Sequence, residues 1–104
     1  PQFMEAARVL ATRVCKTHGN DEGGLIREAY RSLTSRQPTE QEFAILQSLY
    51  RGQLQEFEHD SEAANQVLKV GKAPQDESLS APRVAATTVL ANAIMNLDES
   101  LTER

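Results

Sequence analysis

The sequence predicts an all-α domain: a compact orthogonal or bundle-like array of about five helices around a buried C-terminal helix. Three observations carry this. Residues 81–97 hold a single charge, Arg83, in a chain of which 25% is charged. A helix with one face in water needs a broader polar side, so this segment reads as the one the others pack around. Four segments upstream repeat apolar residues with the helical period, and none alternates as a strand does. Between them stand capping and turn residues. The 104 residues fit one domain, 1–104, with a single modest core that removes about 60–65% of the extended-chain surface from water.

The first segment spans residues 3–16, with Phe3, Ala6, Ala7, Leu10, Ala11 and Val14 on one side and Glu5, Arg8 and Arg13 between them. Gly19 supplies a left-handed exit, and Asn20 or Asp21 caps the next helix. That second helix turns Leu25, Ile26, Ala29, Tyr30 and Leu33 inward. Gly23 and Gly24 weaken its first turn by about 1 kcal/mol each relative to alanine. They lack the strand and the Gly-x-x-x-x-Gly-Lys of a phosphate loop, so a turn or a close helix approach is their reading.

The clearest local signal is Arg36-Gln37-Pro38-Thr39-Glu40-Gln41-Glu42. Pro38 stops the preceding helix, Thr39 caps the next, and Glu42 reaches back to the Thr39 backbone, which makes a capping box. The third helix then runs to about Phe57 with Phe43, Leu46, Leu49, Tyr50, Leu54 and Phe57 inward, and is predicted to be the longest. Asp60 or Ser61 caps a short fourth helix that buries Ala64, Val67 and Leu68 and ends at Gly71. Residues 72–79 are irregular, with Leu79 as their anchor. Ser80 caps the fifth helix, and Pro82 is tolerated in its first turn, where its missing N–H had no partner. Asn96-Leu97-Asp98-Glu99 closes that helix, with Arg36 as the expected partner of Asp98 or Glu99.

Charge and composition exclude several classes. A net charge of −4 supplies no field to hold a phosphate backbone, so no nucleic-acid partner is expected. The turn before Glu42 has the outline of a helix-turn-helix, but the following helix offers Glu40, Glu42, Glu56 and Glu58 against Arg51. A recognition helix needs the opposite balance. Thr87, Thr88, Asn92 and Asn96 interrupt the one apolar-leaning run, so no membrane span is expected.

No reaction is visible in the side chains either. Cys15 is the single cysteine, so there is no internal disulfide and no covalent haem site, and Ala11 and Val14 beside it predict a packed thiol. Cys15 with His18, and Glu56 with His59, have metal-like spacing but fall short of the three or four ligands a zinc site needs. No metal and no cofactor are expected. The serines lack a nucleophile context and the acidic residues lie in polar surroundings, so no catalytic residue is assigned. The candidate structural or interaction residues are Arg36, Thr39, Glu42, Asn96, Asp98 and Glu99.

Four stretches taken together resemble a known family: Phe3-Met4-Glu5-Ala6-Ala7-Arg8-Val9-Leu10-Ala11, Ile26-Arg27-Glu28-Ala29-Tyr30-Arg31, Arg36 to Glu42, and Ala91 to Glu99. They are similar to the C-terminal part of a planctomycete-specific domain family of unknown function, found in large secreted proteins behind a cytochrome-c-like domain. The resemblance implies a terminal fragment of a larger multidomain parent, periplasmic or extracellular, whose other domains are its partners. It brings no catalytic residues with it. Thr87-Thr88 stands where relatives are expected to carry an aromatic residue, which argues against carbohydrate stacking. The expected function is a non-catalytic helical accessory or interaction domain. The alternative is part of a polymer-degrading or redox enzyme whose active site other segments complete.

Overall fold

Five helices follow one another in the order α1 (Gln2–His18), α2 (Glu22–Thr34), α3 (Glu40–His59), α4 (Ser61–Leu68) and α5 (Ala81–Thr102). The computed structural model describes the backbone of residues 2–69 and 78–102 and the side chains of residues 5–69 and 78–96. The radius of gyration, 12.8 Å, matches the roughly 13 Å of a compact chain of this length.

Each boundary has a local cause. Gly19 takes φ 54°, the left-handed exit from α1. Asp21 caps α2 by accepting from the Gly24 N–H at 3.1 Å. Ser35 adopts φ 64° at the end of α2 while its N–H donates to Arg31 O. The Thr34 hydroxyl donates to Tyr30 O at 2.8 Å and accepts from the Arg36 N–H at 3.3 Å, tying off the same end. Asp60 ends α3 and caps α4 through the Ala63 N–H, 3.1 Å away, so one residue makes the corner. Ser80 accepts from the Arg83 N–H at 3.4 Å and starts α5.

Helix α5 is the element that every other helix touches. Val84 through Thr88, Leu90, Ala91 and Ile94 are all buried. Helices α1 and α5 both bury small residues, Ala7 and Ala11 on one and Ala85, Ala86 and Ala91 on the other, which suits close helix packing. Cys15 opposite Thr87, and Gly19 opposite Arg83, show that α1 and α5 run antiparallel. Arg51 with Glu22, and Arg27 over Phe43, show the same for α2 and α3. Leu25, Ile26, Ala29, Tyr30, Leu46, Tyr50, Phe57, Ala64 and Leu68 fill the remaining core, and Leu79 packs against it from the connection into α5.

The buried polar residues of α5 are satisfied. Thr87 and Thr88 donate to the carbonyls of Arg83 and Val84, each at 2.7 Å. A hydroxyl that returns to the preceding turn removes the cost of burying it unpaired. Thr87 Oγ1 also lies 3.4 Å from Cys15 Sγ. Burial pushes the Cys15 thiol up from its ordinary value, with Thr87 acting against that rise, and it raises the Tyr50 phenol as well.

Several expectations need correction. At 22 residues α5, not α3 with 20, is the longest helix. It continues through Asp98 and Glu99 to Thr102, because charge does not break a helix where no glycine or proline intervenes. Arg8, placed by its charge on the polar side of α1, is 2% exposed. Its long apolar stem lets it occupy a buried position that a short charged residue could not. Ala6, expected inward, is exposed instead. The fourth helix ends at Leu68, and Gly71 lies outside the described residues.

Candidate functional site

Three polar features are candidates for a site. The first is the turn from α2 into α3. Thr39 Oγ1 accepts from the Glu42 N–H at 3.1 Å, and Glu42 Oε1 accepts from the Thr39 N–H at 2.8 Å, which completes the capping box. The Arg36 guanidinium grips the same carboxylate with two bonds of 3.1 and 3.2 Å and lies over the Tyr30 ring, 5.0 Å from its centroid. Arg36, and then the Thr39 backbone N–H, hold the Glu42 carboxyl at about 2. A carboxylate so firmly ionised is no proton donor near neutral pH. Arg36 therefore engages Glu42, its neighbour across the turn. Asn96 is exposed on α5, and the side chains of Asp98 and Glu99 lie outside the described residues.

The second cluster centres on His18 at the end of α1. Its Nε2 stands 2.6 Å from Glu28 Oε1, and its Nδ1 lies 3.7 Å from Asp21 Oδ2. Arg13 reaches Glu28 at 3.5 Å and Ser32 at 3.3 Å. Gly24 makes room for this arrangement, since a Cβ there would sit 2.7 Å from His18 Nδ1 and would collide with the Asp21 carboxylate. Gly24 thus leaves room for the His18 and Asp21 side chains. Cys15 instead faces Thr87, so Cys15 and His18 are not brought together as ligands. His59 lies 3.1 Å from Gln55 O at the end of its own helix. Among the described residues no group of three His, Cys, Asp or Glu side chains converges on a metal position.

The third feature was not anticipated. An open groove of about 210 Å³ on the outer side of α2 is lined by Arg27, Glu28, Arg31 and Gln37. Arg27 stacks 4.3 Å from the Phe43 centroid. The signal was present in the sequence: with Ile26, Ala29 and Tyr30 inward, Arg27 and Arg31 fall one turn apart on the outer face, and Pro38 returns Gln37 beside them.

What these features define is a five-helix all-α domain whose polar clusters close helix ends and whose α2 presents Arg27 and Arg31 outward. Comparison of the chain with protein-family models, with curated proteins and with solved structures finds no match in any of the three.

Proposed function

We propose that this chain is a non-catalytic helical accessory module that docks against, or recruits, another segment of a larger exported polypeptide. One observation carries the reading. The side chains best suited to chemistry are committed to holding the fold: His18 to Glu28, Glu42 to Arg36 and the α3 N-terminus, and Cys15 to Thr87. What remains for a partner is surface: the groove on α2 and the exposed apolar side chains Val9 on α1 and Ile45 on α3. The multidomain parent and its periplasmic or extracellular location belong to this proposal and rest on the sequence resemblance alone.

The test is calorimetric titration of the folded domain with the adjoining segments of its parent, each expressed separately. Saturable association in the micromolar range supports docking. Absence of heat at high micromolar concentration refutes it. Catalytic turnover that appears only when the pieces are recombined, and that survives replacement of the groove residues, would put the enzyme-fragment reading in its place.

A further inference from the structure

Resting on the docking reading, we propose that the groove on α2 is the recognition site and that its ligand is an extended acidic peptide segment with carboxylates two residues apart.

The inference starts from how the arginines are used. Arg13 pairs with Glu28, Arg36 with Glu42 and Arg51 with Glu22, while Arg83 donates to Gly19 O at 3.1 Å. Arg8 is buried and engaged. Arg27 and Arg31 are exposed, and among the described residues neither meets a carboxylate. These two line the same groove. Like charges one turn apart on a helix repel, so the pair weakens α2 unless an anion lies between them. Glu28, the acidic residue in the wall, offsets one of the two charges and is itself shared by His18 and Arg13, so the arginine pair keeps an excess positive charge.

Geometry narrows the anion. Stacking on Phe43 fixes the face of the Arg27 guanidinium and leaves its N–H edges for an acceptor in the plane, the arrangement that suits a carboxylate. Four residues of helix separate the two arginines by about 6 Å along the axis. Two residues of extended chain cover about 6.6 Å, so a Glu-x-Glu segment matches both. The Gln37 amide, which can both donate and accept, stands at the edge for the peptide backbone between them. About 210 Å³ is less than the roughly 300–1,000 Å³ of pockets for drug-sized molecules.

The probe is a blocked Gly-Glu-Ala-Glu-Gly peptide titrated into the folded chain at low salt and followed by amide NMR shifts. Binding should be weak, in the high-micromolar to millimolar range, because both charges are exposed. Shifts are expected at Glu28, Arg31 and Gln37, with at least a fivefold loss of affinity in Arg27→Gln and in Arg31→Gln. Arg51→Gln, a change to an exposed arginine elsewhere, should leave affinity unaltered. The Gln-Ala-Gln peptide should give no shifts. The proposal is overturned by the absence of saturable shifts, by an equal loss in Arg51→Gln, or by inorganic phosphate binding the groove as tightly as the peptide. Association with parent segments that survives both groove variants would leave docking standing and remove the groove from it. Peptide binding without such association would do the reverse.

Discussion

Acid should release the clamp at the start of α3, and the size of the effect follows from its geometry. Glu42 has an ordinary value of 4.5 and sits at about 2 in the fold, chiefly through Arg36 and secondarily through the Thr39 N–H. The folded carboxylate thus holds its charge more firmly than the unfolded one. Its contribution is complete above about 4.5 and is lost as the pH falls through about 2. Taken at face value, that displacement corresponds to about 3 kcal/mol. The Arg36 side chain is 44% exposed, however, and exposed ion pairs are worth about 0.2–1 kcal/mol. Adding about 1 kcal/mol for the bond to the Thr39 N–H gives about 1–2 kcal/mol. Urea unfolding of the wild type and of Glu42→Gln, repeated from about pH 5 to about pH 2, reads this directly. The wild type should lose about 1–2 kcal/mol more than the variant over that interval, and the two should converge at the acid end. A cycle with Arg36→Gln should give a coupling of about 0.5–1 kcal/mol. Parallel curves for wild type and variant would refute the clamp.

Two further predictions concern close packing. Gly52 has nothing within 4 Å of a Cβ, so Gly52→Ala should gain about 0.5–1 kcal/mol by helix propensity. Gly24→Ala should instead cost about 0.5–1 kcal/mol in thermal or urea unfolding, because the methyl displaces Asp21 from its cap and His18 from Glu28, outweighing the same propensity gain. Equal gains at both positions would contradict the packing at Gly24. Thr87→Val keeps the shape but removes the partner of the Cys15 thiol. It should cost about 1 kcal/mol and move the thiol further up in an ultraviolet pH titration. Since Cys15 is already raised above 9.0, its contribution is intact below that value and declines as the pH rises beyond it, so the native chain should also lose stability in alkali.

Local signals carried most of the fold because they act over a few residues. Thr39 and Glu42, Asp21, Asp60, Ser80 and Gly19 each did in the structure what their chemistry at a helix end implies. The near absence of charge in residues 81–97 likewise announced a buried helix. What escaped was tertiary in origin. Whether Arg8 is buried depends on how the other helices pack over α1, and α1 alone does not say. Thr87 and Thr88 bury their hydroxyls against their own helix. Arg36 meets Glu42, six residues away, because the left-handed Ser35 and the following Pro38 fold the chain back. The Arg27 and Arg31 groove was legible as spacing, but its openness needed the placement of Gln37 and Phe43.

Helix α5 is the axis of the fold, and the proposed docking surface is built around it. Native-state amide hydrogen exchange tests it most directly. Amides from Leu90 to Ile94 should exchange only through global unfolding, with the full unfolding free energy, while amides near Arg31 at the end of α2 open at lower cost. Exchange of the α5 amides through local opening, at a free energy below that of α1 and α3, would contradict the account.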